Sequence, residues 1–143
     1  MSFKQWSALV QLAAQALVAA WLVRDALRAE TWPGPVSDVA EKLLWAVLFV
    51  IVFSIIANIV VAILVSIARG EEMKDERADE RDKAVHARSM RNAYVVLSVG
   101  AGGALLLLAL GVDPAVSAYA LFGALIFASI ADAASQLIYY RIG

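Results

Sequence analysis

The chain has 143 residues, of which 62% are apolar, with a formal net charge of −1 and a mean hydropathy of +0.76. Soluble domains are about half apolar, so this excess indicates a membrane protein, and the near-neutral charge creates no field that would attract nucleic acid. The chain contains no cysteine and one histidine, His86. This excludes disulfides, thiolate metal sites and the axial histidines of a membrane dihaem cytochrome, so we expect no metal and no cofactor.

Four apolar blocks are each long enough to cross a bilayer, which takes about 20 residues. None has the alternation typical of strands, and a bilayer core admits only helices or closed barrels. The sequence therefore predicts an all-α fold: a polytopic membrane bundle of four transmembrane helices, in one domain over residues 1–143. The predicted spans are 6–23, 43–68, 93–112 and 115–140.

The first apolar block raises the alternative of a secretory signal peptide. Lys4 precedes it, but the block is longer than an ordinary signal sequence and is interrupted by Gln11 and Gln15. No clear A-x-A cleavage site follows. We expect a retained first helix.

Turn and capping residues separate the blocks. Trp32-Pro33-Gly34-Pro35 is a turn-forming cluster, after which Ser37 or Asp38 is expected to cap the second helix. Asp113-Pro114 provides an N-cap followed by proline at the first helical position. This last connector is so short that the third and fourth helices must form an antiparallel hairpin.

Basic residues predict the orientation, because they accumulate in cytoplasmic segments. Nine lie in the N-terminal tail, the segment 69–91 and the C-terminus, against three in the outer connectors. This asymmetry favours a cytoplasmic location for both termini. We expect the cytoplasmic (inner) membrane.

Polar residues recur every fourth position within the spans, which keeps them on slowly drifting helix faces. We predict an intramembrane polar cluster whose members lie at similar depth in the cytoplasmic half of the membrane. Asp132, its one carboxylate, is the strongest candidate for a functional residue. An embedded carboxylate costs about 2–3 kcal/mol on insertion scales, so it is either an ion- or proton-binding group or an amide-bonded packing contact. The cluster comprises Asp132, Gln136, Asn58, Gln15 and Gln11.

The segment of about 71–91 is rich in charge and contains no glycine or proline. It is predicted to be a charged cytoplasmic helical extension running into helix three. One interpretation is a solvated helix stabilised by ion pairs, with His86 paired to Asp82. The other is a surface that docks a partner, for which the candidates are Asp79, Glu80, Arg81 and His86.

A short motif lies in the same segment. The run Asp79-Glu80-Arg81-Asp82-Lys83-Ala84-Val85-His86-Ala87-Arg88 leads into an apolar block, and Asp75-Glu76-Arg77 repeats its first triplet. It resembles an uncharacterised family of small prokaryotic membrane proteins with an Asp-Glu-Arg motif just before a membrane helix. The resemblance covers about 20 residues. It implies a small bacterial or archaeal membrane protein and nothing about its chemistry.

Two function classes remain. A covalent enzyme needs a nucleophile with a general base in reach, and His86 lies outside the predicted spans, so we expect no enzyme. The first class is a non-enzymatic accessory, assembly or regulatory subunit. The alternative is an oligomeric ion- or proton-coupled transporter or channel that uses Asp132. Both imply the lipid bilayer as a partner, a homo-oligomer or larger membrane complex, and no nucleic acid.

Overall fold

The computed structural model describes residues 3–69 and 80–142. The all-α prediction is confirmed: each of the four helices is long and apolar enough to span a membrane. They contain 26, 34, 30 and 29 residues, well above the roughly 20 that a bilayer core requires. In chain order they are α1 (Phe3–Arg28), α2 (Val36–Arg69), α3 (Glu80–Ala109) and α4 (Pro114–Ile142).

The start of α2 differs from the prediction. The Val39 amide donates to the Pro35 carbonyl at 3.1 Å, so the helix begins at Val36, directly after the proline. Ser37 and Asp38 therefore lie inside the first turn, where the Ser37 hydroxyl donates to the Asp38 carboxylate at 3.1 Å. The prediction that one of them caps the helix is wrong, because the carbonyl of Pro35 already supplies the first acceptor.

The α3–α4 turn has the predicted chemistry. At the end of α3 the Val112 amide donates to the Leu107 carbonyl and the Gly111 amide to the Leu108 carbonyl, both at 3.0 Å. This is a Schellman motif, and its left-handed position is Gly111, with φ of 76°. The Asp113 carboxylate then accepts from the Ala115 amide at 2.8 Å, and α4 begins at Pro114. The predicted cap and antiparallel hairpin are confirmed.

Helix α4 is the centre of the bundle. It contacts each of the other three helices, and its contact with α3 is the most extensive. Within the described ranges, α3 has no close backbone contact with α1 or α2. The main apolar core lies between α1, α2 and α4, and is formed by Val18, Val39, Leu43, Ala46, Ala115, Phe122 and Ile126.

The bundle has two chemically different ends. At the end that carries the α1–α2 loop, Lys42 forms an ion pair with Asp25 at 2.5 Å, and the rings of Trp32 and Tyr119 stack with centroids 5.8 Å apart. We call this the loop end. The opposite end, where α1 begins and α4 finishes, is called the terminal end.

The charged segment before helix three is described from Glu80 onward. From there it is helical and continuous with α3, and Asp82 contacts both Lys4 of α1 and Tyr140 of α4. This part of the segment therefore lies beside the terminal ends of α1 and α4. Residues 71–79 of the predicted extension lie outside the described residues.

Helices α3 and α4 approach each other closely at Gly100. A Cβ atom added to this glycine would lie 2.2 Å from the Cβ of Ala124 and 3.2 Å from its Cα. Real Cβ atoms do not come so close, so any larger residue must push the helices apart. Gly102, two residues later, has no atom within 4 Å of an added Cβ.

We predict that Gly100→Ala destabilises the bundle by about 1–3 kcal/mol, the usual cost of overpacking a contact. Gly102→Ala is the matched control and should be neutral or stabilising by up to about 1 kcal/mol, since alanine is the better helix former. Unfolding of both variants in the same detergent measures the difference. Equal stability of the two variants would contradict the close approach.

Candidate functional site

At the terminal end of the bundle, the carboxylate of Asp82 on α3 contacts both α1 and α4. Lys4 of α1 donates to Oδ2 of Asp82 in a part-buried ion pair, and the Tyr140 hydroxyl of α4 donates to Oδ1 at 3.0 Å. The side chains of Lys4 and Asp82 are 32% and 23% exposed, so solvent only partly screens them. One carboxylate thus links three helices. Sequence reasoning proposed His86 as the partner of Asp82 and missed both Lys4 and Tyr140.

A polar cavity of about 340 Å³ opens beside this junction. Its walls come from α1, α3 and α4 and combine two amines, a carboxylate, an imidazole, an amide and a phenol. The lining residues are Phe3, Lys4, Ser7, Asp82, Lys83, His86, Gln136 and Tyr140. This mixture suits the binding of a small polar or charged species, or of water.

Asp132 is connected to this cavity through Gln136. The Gln136 amide nitrogen donates to Oδ1 of Asp132 at 3.1 Å, one helical turn away on α4. Because Gln136 also lines the cavity, one hydrogen bond joins Asp132 to the cavity wall.

The other members of the predicted polar cluster are less directly joined to Asp132. The Asn58 amide donates to the Ser54 carbonyl at 2.7 Å, within its own helix, and its side-chain oxygen is buried without a hydrogen-bond partner in the part of the chain that the structure describes. Gln15 is buried, with 7% of its surface exposed, and Gln11 is half-buried. Of the other four residues of the predicted cluster, Gln136 is the one with a hydrogen bond to Asp132 among the described residues.

The predicted docking candidates occupy different surfaces. Glu80, Arg81 and His86 are all exposed. His86 lines the polar cavity, while Arg81 lines a separate groove on α3 and α4. Asp79 lies outside the described residues. His86 and Arg81 therefore line different cavities.

Asn92 is a polar contact that sequence reasoning missed. Its amide donates to the Ser135 hydroxyl at 3.0 Å and to the Tyr139 hydroxyl at 3.2 Å, which fastens α3 to α4 near the terminal end. The sequence does contain a signal for it, because Asn92 lies seven residues after Val85 and three after Ser89, and therefore on the same side of a helix. Its partners, more than 40 residues away, carry no such signal.

The described residues contain no group of three or more histidine and carboxylate side chains placed to hold a metal ion. The polar side chains that line the cavity are hydrogen-bond donors, hydrogen-bond acceptors and charged groups.

Comparison with known proteins adds no identity: no protein-family model, curated protein or solved structure matches this chain.

Proposed function

We propose that this is a non-enzymatic integral membrane protein that serves as an accessory, assembly or regulatory subunit in the cytoplasmic membrane of a bacterium or archaeon. Insertion is supported above all by α2. No residue in its most hydrophobic 18-residue stretch is buried within the bundle. In water this surface would cost roughly 25 cal/mol for each Å² of apolar area exposed, whereas lipid removes that cost.

The proposed orientation has both termini in the cytoplasm. In the described ranges the terminal end carries seven basic residues, including Lys4, Arg81 and Arg141. The loop end carries three, Arg24, Arg28 and Lys42. The terminal end therefore belongs on the cytoplasmic side.

Thiol labelling tests this orientation, because the chain has no native cysteine. In spheroplasts, an impermeant maleimide should label Thr31→Cys in the α1–α2 loop and should leave Ala87→Cys on α3 unlabelled until the membrane is opened. Both parent residues are exposed, so local burial cannot explain a difference. The opposite pattern would reverse the orientation, and labelling of both positions in sealed spheroplasts would contradict insertion.

A set of exposed small residues on α3 supports a role in assembly. Ser98, Gly102 and Gly103 are exposed, and nothing lies within 4 Å of a Cβ added at either glycine. Larger apolar residues flank them, including Val99, which is 71% exposed, and Leu106, which is 59% exposed. A notch of small residues between larger ones lets helices approach closely in lipid. We propose that a second copy of the chain packs its α3 there.

Disulfide formation between single-cysteine variants tests this interface. Ser98→Cys should form dimers in native membranes, whereas Leu44→Cys on exposed α2 should not. Adding Gly102→Leu should fill the notch and lower the dimer yield by roughly fivefold or more, equivalent to about 1 kcal/mol. Because Gly102 has open space around it, the monomer should remain folded. Equal dimer yields at Ser98 and Leu44 would mean random collision and would contradict the interface.

A transporter or channel is the alternative, and the link from Asp132 through Gln136 to the polar cavity favours it. A carboxylate reached by a polar route from one side is suited to bind a proton or cation. In an assembly protein, the same Asp132–Gln136 hydrogen bond would only provide the carboxylate with a partner within α4.

Asp132→Asn separates the two roles, and Asp113→Asn is its matched control, because asparagine caps a helix as well as aspartate does. We expect liposomes containing the parent protein to show no proton or cation flux above empty liposomes, and both variants to assemble normally. A flux that Asp132→Asn abolishes and Asp113→Asn retains would overturn the accessory role and establish the alternative.

A further inference from the structure

A second cavity at the terminal end has a chemistry different from that of the polar cavity. It is a groove of about 330 Å³ between α3 and α4. Two arginines, a tyrosine and three apolar side chains line it, and none of them lines the polar cavity. The lining residues are Arg81, Ala84, Val85, Arg88, Tyr139 and Ile142.

The groove is cationic. Arg81 and Arg88 are seven residues apart, which places them on the same side of α3, about 10 Å apart along the helix axis. Both are exposed, and neither forms an ion pair or hydrogen bond with any residue in the ranges 3–69 and 80–142. The neighbouring acid Asp82 instead faces the polar cavity, where it contacts Lys4 and Tyr140. Two positive charges therefore remain at the groove.

A hydroxyl group adds a third donor. The Tyr139 oxygen accepts a hydrogen bond from the Asn92 amide at 3.2 Å, which holds the phenol in position and leaves its own proton free to donate. Two guanidinium groups and a hydroxyl match the oxygens of a phosphate, because arginine presents paired N–H donors to such oxygens.

The groove is also amphipathic along the helix axis. Ala84, Val85 and Ile142 form its apolar part. Further along α3, Val95 lies seven residues after Arg88, on the same side, and is 55% exposed. Apolar surface therefore lies between the two arginines and again beyond Arg88 toward the middle of the bundle, where it suits the acyl chain of a phospholipid with its headgroup outermost.

We propose that this groove binds the phosphate headgroup of an anionic phospholipid in the cytoplasmic leaflet, with Arg81 and Arg88 on the phosphate and an acyl chain along Val95. Basic pockets between membrane helices on the cytoplasmic side are suited to such headgroups. The inference rests on the proposed membrane insertion and orientation. A lipid bound in this groove contacts both α3 and α4.

Native mass spectrometry of the purified full-length chain in detergent tests the site with phosphatidylglycerol and phosphatidylcholine as probes. The parent should bind phosphatidylglycerol in preference. Each arginine near an anionic lipid contributes roughly a fivefold factor in affinity, so Arg81→Gln/Arg88→Gln should weaken binding by about 25-fold. Arg24→Gln/Arg28→Gln is the matched control, since it removes two exposed arginines from the loop end, and should change binding by less than about twofold.

Three results would overturn the site: equal binding of the two lipids, equal losses in the two double variants, or binding of glycerol phosphate as tight as that of the lipid. The last would identify a free phosphate compound as the ligand. Carbonate extraction of the same variants separates failure of the site from failure of the proposed function. Protein that stays in the membrane fraction without lipid preference contradicts the groove alone, and protein released by carbonate contradicts insertion.

Discussion

The close approach of α3 to α4 at Gly100 and Ala124 sets the geometry on which the rest of the bundle depends. It brings α3 against one face of α4, on which Ala124 and Ala128 are both buried. Phe122 and Ile126 lie on the opposite face and build the core with α1 and α2. Helix α4 therefore presents Ala124 toward α3, and Ala115, Phe122 and Ile126 toward α1 and α2. This division explains why α3 has no close backbone contact with α1 or α2 in the described part of the chain.

The polar groups of the terminal end follow from this arrangement. Side chains near the end of α4 reach polar groups of α3. Tyr140 meets Asp82, and Ser135 and Tyr139 meet Asn92. The polar cavity and the cationic groove are separate spaces beside the same helix pair, one lined by Asp82 and the other by the arginines. Their chemistry differs because Asp82 lies on one side of α3 and the two arginines lie on another.

The sequence predicted what local chemistry determines. The four apolar helices, the α3–α4 hairpin and the Asp113 cap follow from neighbouring residues and agree with the structure, whereas the helix bounds differ from the predicted spans. The environment of Asp132 could not be derived in the same way. A four-residue spacing advances about 40° per step around a helix, so the row from Ala124 to Gln136 turns through about 120°. Asp132 is thus on a flank of α4, and its partner is Gln136. Contacts such as Lys4 with Asp82, 78 residues apart, depend on helix rotations that no local pattern specifies.

The central position of α4 also has a consequence for the order of events during synthesis. The three helices that it holds together are all made before it, so α1 and α2 can pair early while α3 waits for its neighbour. Only four residues, 110–113, separate α3 from α4. Once α4 is made, this short tether gives the two helices a high effective concentration and favours rapid pairing. Ribosomal pausing within α4 would therefore leave an incomplete three-helix intermediate with the Asn92 amide and the Asp82 carboxylate without their α4 partners.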